Sequence, residues 1–137
     1  MIALDASVLV GLIRGEADVL PLAGLIGGAH GPCLIGGPTL AEALVWCAAN
    51  IEGGRSALLD GLARAAHLRI VPFDHAMAEL AHGAYQRFGK LSGHPAALNF
   101  GDALSYATAR AMAAPLLFKG SDFGRTDLVL HPASILL

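Results

Sequence analysis

The chain reads as an α/β fold: a central, mostly parallel sheet with helices on both faces. Two observations predict it. Short runs that are apolar throughout, as strands covered on both faces must be, alternate with stretches of helical spacing. The first of these runs, residues 1–4, ends on a carboxylate, Asp5, just before the chain turns into a helix. In open parallel sheets ligands collect at the carboxyl ends of the strands, and Asp5 falls at that address.

Each element follows in order. After Asp5, Ser7 starts an apolar stretch over 8–13 that closes at Arg14-Gly15, the expected helix stop. Residues 17–26 carry Val19, Leu20, Leu22, Leu25 and Ile26 and end at Gly27-Gly28, which predicts a second helix. A Gly- and Pro-punctuated connection over 29–37 contains a short extended piece, Cys33-Leu34-Ile35. From Pro38-Thr39 a helix is expected, with Leu40, Ala43, Leu44, Cys47, Ala48 and Ile51 on its apolar face and Gly53-Gly54 at its end. Residues 55–66 form another, followed by a β-branched strand over 68–71.

Asp74 is placed to cap a helix that runs to Phe88 and stops at Gly89. A loop over 90–98 contains Gly93 and Pro95, and Asn99 caps a helix through Met112. Residues 115–118 are a buried strand, 119–122 a turn at its carboxyl end, and 128–130 one more short strand. With no internal repeat and 137 residues, one domain over 1–137 is expected.

Composition narrows the function classes. Hydrophobic residues make up 55% and charged residues 15%, a balance that suits a domain hiding part of its surface in a partner or a second copy. No apolar run reaches the roughly 18 to 20 residues a membrane span needs, and the first residues lack the basic segment of a signal peptide, so a cytoplasmic location is expected. Cys33 and Cys47 form no Cys-x-x-Cys and read as buried thiols. The formal charge is −2, but setting aside five acids that could share one metal leaves a net basic remainder, compatible with a phosphate backbone around an acidic pocket.

Those acids are Asp5, Glu42, Asp102, Asp122 and Asp127. Each has a structural reading: Asp5 as an N-cap, Glu42 in the capping box Thr39-Leu40-Ala41-Glu42, Asp102 as a first-turn acid, Asp122 in an Asx turn and Asp127 as a cap. The set says more than its members. Asp5 and Asp122 both follow apolar strands, and Glu42 and Asp102 both sit at helix starts that can face the same sheet edge. Carboxylates gathered there repel one another, a cost that a hard divalent cation removes. With no Cys or His cluster among them, the donors suit Mg²⁺ or Mn²⁺ rather than Zn²⁺.

The ordered blocks Asp5-Ala6-Ser7, Glu42, Asn99-Phe100-Gly101-Asp102, and Leu116-Leu117-Phe118-Lys119-Gly120-Ser121-Asp122-Phe123 with Thr126-Asp127 resemble the PIN-domain ribonucleases. They are most similar to the VapC toxins of type II toxin–antitoxin pairs, and His94-Pro95-Ala96-Ala97-Leu98 resembles the segment before the third acid in many of these. The resemblance implies a PIN-like three-layer α/β/α fold and a Mg²⁺-dependent endoribonuclease, Mn²⁺ being an alternative ion. Asp5, Glu42 and Asp102 would hold the metal, with Asp122 or Asp127 completing the set. Ser7 would position a carboxylate or the scissile phosphate, and His94, Lys119 and Arg125 lie near enough in sequence to grip flanking phosphates.

The apolar composition, with Trp46 four residues after Glu42 and projecting from the acid's side of its helix, predicts a homodimer that binds a small antitoxin. The resemblance implies that this small DNA-binding partner sends a basic side chain into the acidic cleft. Three other readings compete: a housekeeping PIN-domain RNA-processing nuclease, an α/β phosphatase, and a non-catalytic partner-binding scaffold. A haloacid-dehalogenase-type phosphatase expects a second Asp two residues after the first, where this chain has Ser7.

Overall fold

Strand β1 (Ile2–Leu4) lies inside a four-stranded parallel sheet of order β3-β2-β1-β4, completed by β2 (Cys33–Gly36), β3 (Leu68–Val71) and β4 (Leu116–Leu117). The computed structural model describes all residues, 1–137. Ile2 pairs with Cys33 and Ala3 with Leu34 on one side of β1, and Ala3 pairs with Leu116 and Leu4 with Leu117 on the other. Successive side chains of a strand point to opposite faces, and the two cores divide accordingly. Ile2, Leu4, Cys33 and Ile35 enter one; Ala3 and Leu34 enter the other.

Helices cover both faces. On the first lie α1 (Ala6–Arg14), α3 (Gly37–Asn50) and α4 (Gly54–Arg64), supplying Val8, Leu9, Leu40, Ala43, Cys47 and Leu58. On the second lie α5 (His75–Phe88) and α6 (Phe100–Ala111), supplying Ala84, Phe88, Tyr106 and Ala109. The local signals behave as expected. Gly15 ends α1 in the left-handed conformation, Asp74 accepts the Met77 N–H at the start of α5, and Asn99 caps α6.

Three expectations need correction. Residues 17–26 are not one helix: a 3₁₀ turn (Leu20–Leu22) leads into a single-turn helix, α2 (Ala23–Ile26). Pro21 sits in the first turn of the 3₁₀ segment, where its missing N–H costs nothing; inside a helix begun at 17 it would break the ladder. Residues 128–130 form no strand; only Leu130 bridges to Leu116, because β4 is itself two residues long. The turn expected at 119–122 instead opens with β5 (Lys119–Gly120), which pairs in parallel with β6 (Ile135–Leu136). No helix is long and apolar enough to cross a membrane.

Candidate active site

Asp5 leaves β1 at its carboxyl end and carries two loads. Its Oδ2 accepts the Ser7 N–H at 3.1 Å, capping α1, while its Oδ1 accepts the Ser105 hydroxyl of α6 at 2.6 Å. The residue is 7% exposed. The capping reading and the cluster reading are therefore compatible at this position.

Asp102 sits one turn before Ser105 on α6 and is 8% exposed. It forms a reciprocal cap with Asn99: the Asp102 N–H donates to Asn99 Oδ1 at 2.8 Å and the Asn99 N–H donates to Asp102 Oδ2 at 3.0 Å. Burial raises its carboxyl to about 7; the Asn99 bond works against this, and the negative charges of Asp5, Asp122 and Glu42 add to it. Those three charges mark the company the carboxylate keeps.

Glu42 stands where the capping box would be, but no box forms. Helix α3 starts two residues before Thr39, with Pro38 in its first turn, so Glu42 lies past that turn. Thr39 is 2% exposed, and its hydroxyl faces inward, 3.4 Å from Ser105 Oγ. The Glu42 carboxyl is raised by desolvation and then by Asp5. It lies over the first turn of α6 so closely that a Cβ on Gly101 would collide with it.

Asp122 follows β5 at the start of a 3₁₀ turn (Phe123–Arg125), makes no side-chain capping bond and is half-buried. Asp127 goes elsewhere. Its Oδ1 accepts the Tyr106 hydroxyl at 2.7 Å, and its Oδ2 lies 3.3 Å from Arg87. Burial works to raise its carboxyl, but the Tyr106 hydrogen bond and the charges of Arg87 and Arg110 outweigh it and hold it below the usual range.

The residues expected to position substrate divide similarly. Ser7 Oγ accepts the Lys119 N–H at 3.1 Å, tying the start of α1 to the strand that leads to Asp122. The Lys119 ammonium is already engaged by Glu16 at 2.9 Å and Asp18 at 3.0 Å. His94 Nδ1 accepts the Ala96 N–H at 3.0 Å, and the ring packs edge-on to Phe88. Arg125 is exposed and lines a cleft with Asp122, Ala97 and Leu136.

The donors grouped around Asp102 are all hard carboxylates, the chemistry that suits Mg²⁺ or Mn²⁺. As the side chains lie, no three of the His, Cys, Asp and Glu residues stand close enough to grip an ion between them. Ser105 and Glu16 carry no role in the sequence reading, and Thr39 enters it only as the expected cap of α3. A signal existed for Ser105, since it lies three residues after Asp102 and so shares its helix face.

The PIN domain family model matches residues 2–129. The chain is 38% identical over 128 residues to ribonuclease VapC28 of Mycobacterium tuberculosis, covering 90% of this chain and 92% of that one. Among solved structures, a toxin–antitoxin complex from Klebsiella pneumoniae aligns with a TM-score of 0.68 at 18% identity over 98% of this chain and 100% of that one. VapBC2 from Rickettsia felis, solved bound to a DNA fragment from its promoter, aligns with a TM-score of 0.66 at 17% identity over 100% of this chain and 98% of that one. These structural likenesses concern the fold.

Proposed function

The chain belongs to the PIN-domain family, among the VapC ribonucleases, and on that footing we propose that it is a divalent-metal-dependent endoribonuclease, the toxin of a type II toxin–antitoxin pair. The observation that carries the reading is the Asp102 carboxyl, buried, capped and raised to about 7 in the company of Asp5, Glu42 and Asp122. A carboxylate raised first by burial and then by the charges of neighbouring carboxylates is what a hard cation stabilises.

Asp5, Glu42, Asp102 and Asp122 would hold Mg²⁺ or Mn²⁺. Such an ion, when bound, supplies charge to neutralise the phosphoryl oxygens, a lowered pKa for bound water and stabilisation of the leaving oxygen. The chain supplies orientation. Ser7 N–H and the Ser105 hydroxyl hold the Asp5 carboxylate from two sides, and the Asn99 cap holds that of Asp102. Ser7 Oγ steadies the strand leading to Asp122, and Arg125, exposed beside it, meets a flanking phosphate. The Lys119 ammonium stays paired with Glu16 and Asp18.

The partners proposed are RNA as substrate, a cognate small DNA-binding antitoxin, and a second copy of this chain. Exposed Val45 and Phe100 flank Trp46 and Glu42 along a groove between α3 and α6, and this apolar surface beside the acids supports a protein partner. The test is incubation of labelled structured RNA with the purified protein in Mg²⁺, in Mn²⁺ and in excess EDTA. Internal cleavage in the first two and none in the third is expected; cleavage that survives chelation refutes the metal mechanism.

A further inference from the structure

Beneath the acids lies a chain of buried hydroxyls that joins the three elements carrying Asp5, Glu42 and Asp102. Ser105 Oγ is 2.6 Å from Asp5 Oδ1 and 3.4 Å from Thr39 Oγ1, and Ser105 and Thr39 are 1% and 2% exposed. The bond directions follow from the donor inventory. An ionised carboxylate only accepts, so the single Ser105 proton goes to Asp5, and the Thr39 hydroxyl must then be the donor to Ser105. Thr39 lies one turn before Glu42 on α3, and Ser105 one turn after Asp102 on α6. A hydroxyl bonded to a carboxylate at this length is a strong, charge-assisted contact, and one sealed from water has no substitute partner.

Resting on the proposed metal site, we propose that Ser105, backed by Thr39, is a positioning residue that sets the orientation of the Asp5 carboxylate and its register with Glu42 and Asp102. Groups that hydrogen-bond a metal-ligating side chain from behind typically carry about 10- to 100-fold in metal affinity. Thr39 acts on Asp5 only through Ser105, so its contribution disappears when Ser105 is gone.

The test is a Mn²⁺ titration of the full chain, reading free Mn²⁺ by electron paramagnetic resonance, for the parent, Ser105→Ala, Thr39→Val and the double variant, with thermal melts in EDTA alongside. Ser105→Ala is expected to weaken Mn²⁺ binding about 10- to 100-fold, Thr39→Val by less, and the double variant no more than Ser105→Ala. Unchanged affinity in Ser105→Ala, with only a lowered melting temperature in EDTA, would make the serine a packing residue and overturn the proposal. Losses that simply add in the double variant would overturn the relay through Ser105. A parent that binds no Mn²⁺ at all would refute the metal site itself, an outcome distinct from both.

Discussion

The Tyr106 hydroxyl donates to Asp127 Oδ1 at 2.7 Å, and with Arg87 it ties that carboxylate to the α5–α6 side rather than to the other acids. Asp122, by contrast, is among the charges that raise Asp102. Asp122→Asn should therefore reduce RNA cleavage at least about tenfold, and Asp127→Asn should leave it within a few-fold of the parent. Initial cleavage rates at saturating Mg²⁺ separate the two; equal losses would put both acids in the site.

Asp102 also gives the metal-free protein a specific pH dependence. Its carboxyl is raised from 3.8 to about 7 on folding, so the folded state binds the proton more tightly than the unfolded one. The stability this contributes is fully present below about pH 4 and is lost as pH rises through 7. Glu42, also raised, acts in the same direction. His131, lowered by burial and by His30, acts in the opposite one, since its protonation as pH falls opposes folding. In EDTA the parent should melt higher at pH 5.5 than at pH 8, and Asp102→Asn should narrow that difference. The His131 contribution is common to both proteins and cancels. An unaltered difference would remove Asp102 as its source.

Gly101 has a use that only the tertiary structure reveals. A glycine near the start of α6 gives up roughly 0.5 to 1 kcal/mol of helix stability relative to alanine, but a Cβ there would strike the Glu42 carboxylate. That carboxylate ends a flexible side chain and can swing aside. Gly101→Ala should melt as high as the parent in EDTA, or higher, while losing about tenfold in Mn²⁺ affinity. A variant that keeps full affinity would show that Glu42 need not rest against α6.

Val45 is 71% exposed and Phe100 70%, an unusual pairing beside a charged site. If a second copy covers this surface, light scattering of the isolated protein should give a dimer, and Val45→Lys should give a monomer at the same concentration. A parent that stays monomeric at high concentration would defeat the dimer.

Much of this architecture is legible in the chain because its signals are local. The apolar run before Asp5 marks β1, and the spacing of Met77, Ala81, Ala84 and Phe88 marks the buried face of α5. What escaped depends on partners distant in sequence. Thr39 and Glu42 have capping-box spacing, but Gly37 and Pro38 start α3 early, and burial turns Thr39 toward a serine 66 residues away. Ser105 meets Asp5 across 100 residues, and Lys119 meets Glu16 across 103. Nothing near Lys119 in the sequence distinguishes a free phosphate grip from a neutralised one. Pro21 is the local signal that divides 17–26, set within an otherwise helical apolar periodicity.

The central claim is that Asp102 belongs to a carboxylate group that a divalent cation stabilises, and Asp102→Asn tests it most directly. The amide oxygen of Asn can still accept the Asn99 N–H, so the cap survives while the charge is lost. Melting temperatures of parent and variant would be compared in EDTA and in excess Mg²⁺, with RNA cleavage measured on the same samples. The variant should melt at or above the parent in EDTA, because a buried charge and its repulsion with Asp5, Glu42 and Asp122 are removed, and it should lose both the Mg²⁺-induced rise and cleavage. A variant that melts lower in EDTA, keeps the parent's full Mg²⁺ stabilisation and still cuts RNA would reduce Asp102 to a first-turn helix acid, worth about 0.3 to 1 kcal/mol through the helix dipole, and contradict the metal site.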